Sequence, residues 1–420
     1  MQRFEPKRPE DLVEILRWAA AGTVPLAVTG GGSKAGIGAP VAAEYELSLA
    51  GFDRIHDYEP EELVLTAGAG APLATVEALL AERGQMLAFE PPDHSRLGGV
   101  LAAPDAPRAG TLGGVVAANL SGPRRFAAGA ARDHCIGLRA VNGRGEPFKA
   151  GGRVVKNVTG FDLPKLLAGS WGTLAALWEV TLKVLPAPEC ARSLLLFGLA
   201  PDPAVAAMNR ALASVHMISG AAHLPAGVAA RCPALAGSGG AVTVLRVEGP
   251  ESSVRHRLAG LQALLDAGLP GGGLPGGGLL GGESALLDDR ESCALWSAIG
   301  DLAPLPVTPD HELWRLALPP ASAPAVLAAL APHFASDWLL DQGGGLLWLC
   351  CPAGTPAESV RAVLATCGGH ATLWHASAER RAEILVFHPQ PPALAALSRR
   401  VKHSFDPLGI LNPGRLYREF

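Results

Sequence analysis

The stretch Gly110–Arg132, GTLGGVVAANLSGPRRFAAGAAR, constrains this chain more than any other. It opens on Gly-Thr-Leu-Gly-Gly, runs through the small residues Val115–Leu120 and closes on Ser-Gly-Pro-Arg-Arg. Side chains this small leave backbone N–H groups bare, so that something large and polar can lie against the chain. Glycine also costs conformational entropy that an ordinary turn has no need to lose. A second cluster, Thr29-Gly30-Gly31-Gly32-Ser33-Lys34, follows the apolar run Val24–Val28. Consecutive amides unobstructed by Cβ atoms form anion-binding nests, the usual cradle for a pyrophosphate. With 51 glycines among 420 residues, either loop alone is better read as a plain turn. The two together point to a dinucleotide held at more than one place along its length.

Composition narrows the partners. A chain of 420 residues is long enough for two or three domains, and 49% hydrophobic content is ample to bury their cores. The net charge of −4 argues against nucleic acid. Apolar runs are broken by Gly, Pro or charge before they reach the length of a membrane span. The start, MQRFEPKRPEDL, lacks an apolar signal core. Cys135, Cys190, Cys232, Cys293, Cys350, Cys351 and Cys367 show no CxxC or CxxxC spacing, so they read as reduced, mostly buried thiols and not as an iron–sulfur or zinc site. The expectation is a cytoplasmic protein, with room for peripheral association with the inner face of a membrane through a complex.

Taken in order, Pro9-Glu10-Asp11 starts a helix with Leu12, Ile15, Leu16 and Ala19 on one face. Val24–Thr29, Leu47–Leu49 and Leu63–Ala67 read as strands, and Leu73–Arg83 as a helix ending at Gly84. Leu97-Gly98-Gly99 foreshadows the Thr111–Gly114 loop. Asp133–Val141 alternates like a strand, and Asn142-Gly143-Arg144-Gly145 makes a hairpin turn. Leu177–Leu185 is a strongly alternating strand, and Pro186 and Pro188 mark a boundary. From about 190 to 390, strands such as Ser193–Phe197, Val242–Val247, Trp314–Leu318 and Leu346–Cys350 alternate with Ala/Leu-rich helices at Pro203–Val215, Ser253–Ala267 and Pro324–Ala331. The tandem LPGGGLPGGG within Leu269–Gly282 has no packing capacity and reads as a mobile loop. Lys402–Tyr417 is compact and turn-rich.

Four segments in this order, VTGGGSKAGIG, GTLGGVVAANLSGPRR, RVVKNVTGFDLPKLLAGSWGTL and FDPLGILNPGRLY, resemble flavin-dependent oxidases and dehydrogenases of the vanillyl-alcohol oxidase/p-cresol methylhydroxylase (PCMH) type. Within that family the chain resembles the FAD-binding E subunits of bacterial glycolate oxidase (glycolate dehydrogenase). The resemblance covers residues 1–186 and the terminus well. In the middle it is carried by short runs such as Trp314–Pro320 and Gly368–Leu373. It implies an α+β fold: a two-lobed PCMH-type FAD-binding domain at 1–186 (lobes about 1–86 and 87–186), an α+β cap at 187–395, and a C-terminal segment, 396–420, that returns to dock on the FAD domain.

The resemblance further implies that Thr29, Gly30, Gly31, Gly32, Ser33 and Lys34 hold the FAD pyrophosphate. Gly110, Thr111, Leu112, Gly113, Gly114 and Ala117 would line the flavin side, with Gly122 near the same groove, and Asn412 and Arg415 closing over the isoalloxazine end. The strand Leu177–Val184 would flank the adenine. A branched side chain at Gly113 would then fill space that the cofactor needs. Family members with covalent flavin usually carry a histidine in the first loop, where this chain has Ser33 and Lys34, so the FAD is expected to be noncovalent. Relatives often read Gly-Ser-Glu-Gly where this chain has Gly169-Ser170-Trp171-Gly172.

Arg124 and Arg125 suit either a small 2-hydroxy-acid substrate or the FAD phosphates through a bidentate guanidinium fork, and equally a structural role. Lys156 and Asp162 read as structural polar groups of the flavin lobe. His94 and His134 are of a type that acts as base or proton shuttle, yet no catalytic residue is singled out. The histidine-rich cap motif of related dehydrogenases is missing: His370, His375 and Asp341 do not reproduce it, so no metal is expected. Two roles stay open, an FAD-dependent 2-hydroxy-acid dehydrogenase and an electron-relay or structural flavoprotein subunit, with a free-standing oxidase as a further alternative. The implied partners are a second FAD subunit and an iron–sulfur subunit, with their interface on the 190–390 region.

Overall fold

Leu12, Ile15, Leu16 and Ala19 recur at helical spacing, and Pro9–Gly22 is a helix that buries Leu12, Leu16 and Ala19 completely. Pro9 fits the first turn, where its missing N–H is no loss, and Glu10 and Asp11 face the positive end of the helix dipole. Its apolar face packs in one cluster with Leu26, Leu47, Val141, Ile410 and Leu411. Each such aliphatic side chain contributes about 1.5–3 kcal/mol on burial.

The computed structural model describes residues 1–98, 110–154, 160–267 and 284–419. Gly99, Lys156 and the Leu269–Gly282 repeat lie outside the described residues. The chain forms two compact units, one of 1–121, 129–187 and 377–420 and the other of 122–128 and 188–376.

In the first unit, Gln2–Phe4, Tyr45–Ser48 and Leu26–Thr29 form a parallel three-stranded sheet with Tyr45–Ser48 in the centre. A five-stranded antiparallel sheet runs Ile55–Glu59, Val64–Gly68, Ala175–Lys183, Cys135–Asn142, Pro147–Gly151. Its central strand, Ala175–Lys183, is almost wholly buried, as its run of apolar residues requires. The C-terminal segment comes back to the parallel sheet: Leu411 bridges Leu26 in parallel, Leu26 N donates to Ile410 O at 2.8 Å, and Asn412 N donates to Leu26 O at 3.0 Å.

A buried ion pair fixes that return. The Lys402 ammonium, in helix Pro392–Phe405, donates to Asp406 Oδ2 at 2.6 Å, Leu411 O at 3.0 Å and Thr173 O at 2.7 Å. The Asp406 carboxylate also accepts from Ile410 N and Leu411 N. Both side chains are essentially out of solvent, 5% and 0% exposed. Burial draws the Lys402 pKa below the ordinary lysine value, and Asp406 opposes the shift.

The second unit is one eight-stranded antiparallel sheet, in the order Ser284–Leu287, Cys190–Phe197, Val242–Gly249, Gly220–Leu224, Asp337–Asp341, Leu346–Pro352, His311–Ala317, His370–His375. Each half runs strand, helix, strand, strand, helix, strand, with the first strand between the third and fourth. That is a ferredoxin-like unit repeated in tandem. The halves join edge to edge through the pair His223–Leu340. Among the described residues, no helix is long and apolar enough to cross a membrane.

The structure corrects three readings. The expected strand Asp133–Val141 opens as a helical turn, Ala131–His134, and extends only from Cys135. Ala130 N donates to Asp133 Oδ2 at 2.9 Å and closes that turn, a local bond that alternation cannot reveal. Residues 377–395 belong with the first unit and not with the cap, because helix Ala378–Glu383 is tied down by Arg381 to Gly38 O and Ala35 O. Gly122–Ala128 belongs with the second unit, where Arg124 meets Glu248.

Lys402→Met leaves the Asp406 charge buried without its partner, and removal of one member of such a pair costs about 3–5 kcal/mol. The expected result is a lower denaturation midpoint, with Asp406→Asn recovering part of the loss in the double variant. A Lys402→Met protein as stable as the parent would show that the pair does not hold the C-terminal segment.

Candidate functional site

The two glycine clusters meet in the first unit. The strand Leu26–Thr29 delivers the chain into Gly30–Lys34, and Thr111 at the start of helix Leu112–Ala118 sits directly against it. A Cβ on Gly30 would lie 2.5 Å from Thr111 Oγ1, so only glycine allows that approach. Gly32 has φ of +77° and nothing within 4 Å of where a Cβ would stand. The N–H groups of Gly31, Gly32 and Ser33 have no acceptor among the described residues. They line a cavity of about 410 Å³, within the size range of cofactor sites.

The second cluster behaves differently. The N–H of Leu112 donates to Ala71 O, that of Gly113 to Ala69 O at 2.7 Å, and that of Gly114 to Thr111 Oγ1 at 3.3 Å. These amides are therefore not bare, as the small side chains had suggested, and this stretch forms a packed wall. The amides without an acceptor among the described residues are those of Gly31–Ser33.

Positive charge stands beside those free donors. Lys34, Arg381 and Arg415 all line the cavity. Arg415 donates to Lys34 O at 2.6 Å and to Ala35 O and Ala39 O, and Arg381 donates to Gly38 O at 2.7 Å. Burial, with the like charge of Arg381 second, pulls the Arg415 guanidinium down to about 10. This cationic wall and the unused amides together suit a diphosphate. Ala117, Ala118, Ala175 and Leu177 supply flat apolar walls suited to ring systems.

Asn412 locks the far wall. Its Oδ1 accepts from Val28 N at 2.8 Å, and its Nδ2 donates to Trp171 O at 2.8 Å and Val28 O at 3.2 Å. Trp171 has φ of +55°, a conformation that costs a bulky residue about 1–3 kcal/mol and persists only when its surroundings impose it. Here Trp171 N donates to Ala117 O at 2.8 Å, Asn412 takes its carbonyl, and Arg415 lies 5.7 Å over its ring.

Of the sequence-selected residues, Thr29, Gly30, Gly31, Gly32, Ser33, Lys34, Thr111, Gly113, Gly114, Ala117, Asn412 and Arg415 line the cavity. Leu112 is buried behind the wall, Gly110 packs on Leu73 near Lys34 Nζ, and Gly122 falls in the second unit. Arg124 pairs with Glu248 at 2.8 Å in the second unit and is only 12% exposed. Asp162 caps helix Leu163–Leu167 through Lys165 N, a structural use. His134 is buried with its Nδ1 3.2 Å from Lys183 O, and His94 is likewise buried. Sequence reasoning missed Arg381 and Glu46. The Glu46 carboxylate accepts from Thr29 Oγ1 at 2.7 Å, and nothing local marks either residue. Among the described residues no cluster of three or more His, Cys, Asp or Glu is arranged to hold a metal.

A family model described as an FAD binding domain matches residues 2–151. Over 97% of its own length and 97% of the relative's, the chain is 31% identical to glycolate oxidase subunit GlcE of Escherichia coli K12. This chain belongs to the FAD-binding oxidoreductase family. It is also 25% identical to glycolate oxidase subunit GlcD of Bacillus subtilis, covering 98% of this chain and 88% of that one. The structure of 4-ethylphenol oxidase from Gulosibacter chungangensis superposes with a TM-score of 0.70 at 14% identity, covering 99% of this chain and 89% of that one. The fold is that of the vanillyl-alcohol oxidase/PCMH family, and FAD is the cofactor that the nest and its cationic wall fit.

A Cβ at Gly113 would lie 2.5 Å from Ala69 Cβ and 2.7 Å from Ala69 O. The reason to keep glycine there is the neighbouring backbone, and not cofactor space as the sequence suggested. Gly113→Val is therefore expected to lower stability by at least the about 1–3 kcal/mol of an overpacked core, and to lose FAD with it. Equal melting temperatures for the FAD-free forms of variant and parent would refute this account.

Proposed function

We propose that this chain is the FAD-carrying subunit of a glycolate-oxidising complex, taking part in the conversion of glycolate to glyoxylate and passing electrons to a partner iron–sulfur subunit beside a second FAD subunit. The observation that carries the reading is end-to-end similarity to a glycolate oxidase subunit, joined to an FAD cavity. When bound, FAD supplies the two-electron acceptor. The chain's own residues do the holding: Gly31–Ser33 donate to phosphate, Arg381 and Arg415 balance its charge, and Asn412 keeps Trp171 and the Val28 backbone in place. The described lining contains no His, Cys or Tyr, the side chains that join flavin covalently, which supports noncovalent FAD.

The same lining favours a relay role over independent turnover. Glu46 is its sole carboxylate among the described residues and is engaged by Thr29. We place the complex in the cytoplasm or at the inner face of the membrane, with its contact to lipid made by other subunits.

Anaerobic titration with glycolate, followed at the flavin absorption bands, tests this reading. The expected result is bleaching in the complex purified from the native host and slow or negligible bleaching of the isolated chain, with all flavin released by trichloroacetic acid. Full-rate glycolate oxidation by the isolated chain with an artificial acceptor would overturn the dependence on partners, and flavin left on the acid precipitate would overturn noncovalent binding.

A further inference from the structure

On one face of the second unit, the guanidiniums of Arg315 and Arg125 pair with no carboxylate among the described residues. On strand His311–Ala317, Trp314 and Leu316 are fully buried, with Arg361 of helix Ala357–Ala362 lying 5.5 Å over the Trp314 ring. Strand alternation therefore sends Arg315 to the face away from that helix. There its guanidinium carbon lies 5.9 Å from the ring centres of both Trp348 and Trp374. Trp348 is its direct cross-strand partner. Trp374 is the extra residue of a bulge, since Leu313 pairs with His375 and Trp314 with Leu373. The two indoles meet edge to face at 5.5 Å and 75°.

The guanidinium of Arg315 makes no hydrogen bond or ion pair with any described residue, and neither does that of Arg125. Both keep part of their surface open to solvent. They share one electrostatic neighbourhood: burial first and Arg125 second draw Arg315 down to about 10, with Asp341 opposing. The Asp341 carboxylate is buried and accepts from Gln342 N at 2.6 Å. Asp341 makes no ion pair with either guanidinium, and the Arg315 charge is held beside apolar rings that weaken its hydration. Aromatic faces offset only part of that cost. A planar monoanion presented edge-on to the guanidinium fork completes the balance, and a carboxylate has that shape and charge.

We propose that Arg315, assisted by Arg125, binds the carboxylate of a small organic acid against the Trp348–Trp374 face of the second unit. This deepens the glycolate reading above and rests on it only for the choice of acid.

The test is calorimetric binding of glycolate, D-lactate, oxalate and the neutral glycolamide to the purified, FAD-containing chain, with Arg315→Met, Arg315→Lys and Arg125→Met beside it. Loss of a charge-assisted contact predicts affinity for the bound acid about 10- to 100-fold weaker in Arg315→Met. A smaller loss is expected in Arg315→Lys, which keeps the charge without the fork, and in Arg125→Met, while glycolamide binds none of them. Flavin content and near-ultraviolet circular dichroism report folding, and Arg315→Lys carries the test if the methionine variant fails to fold. Equal glycolate affinity in parent and Arg315 variants overturns the site and leaves the glycolate reading standing. Arg315-dependent binding of lactate or oxalate without glycolate supports the site and counts against that reading. No binding of any of these acids to the parent chain overturns the site, and dissociation of a partner subunit by Arg315→Met in that case points to an acidic side chain as the true ligand.

Discussion

The amide of Asn412 satisfies three backbone groups at once, and the shape of the cavity depends on it. Val28 N–H, Val28 O and Trp171 O come from two separate chain segments, and Asn412 arrives from a third. Buried peptide groups left without partners cost about 1–3 kcal/mol each, so the three segments are held in one arrangement or not at all. The arrangement is possible because Lys402 and Asp406 anchor the residues just upstream, and because Asn412 tolerates its φ of +42°. Trp171 pays for its left-handed backbone through the same bonds, and its ring becomes a platform for Arg415.

Charge is distributed with the same economy in both units. In the first, Arg381 and Arg415 spend their donors on the carbonyls of Lys34–Ala39, which shapes the loop, and their charge faces the cavity. In the second, adjacent arginines have opposite fates. Arg124 is committed to Glu248, which also lies 3.7 Å from Arg246, itself stacked on Trp296. Arg125, one residue on, has no such partner among the described residues. Neighbours in sequence thus serve structure and recognition separately.

Much of the first unit was legible in the sequence. The helix Pro9–Gly22 follows from spacing, its start from Pro and acidic residues, and the Gly31–Ser33 nest from consecutive small residues after a strand. These are local properties, in which a few neighbouring residues decide the backbone. The second cluster was located correctly but its amides were misjudged, since their acceptors Ala69 and Ala71 lie some forty residues away. The tandem repeat of the second unit went unseen, because its halves share strand order and not sequence.

What the sequence by itself determined was the fold family, the place of the two glycine clusters and the return of the C-terminal segment, all written in glycine, proline and apolar spacing. Only the tertiary structure decided which cations reach the cavity, that Gly113 is required by Ala69, and that Arg315 stands between two indoles with no carboxylate paired to it among the described residues. Each of these is a contact between residues distant along the chain. A side chain's charge is visible in the sequence, but whether that charge is neutralised depends on what folding brings within a few ångströms of it.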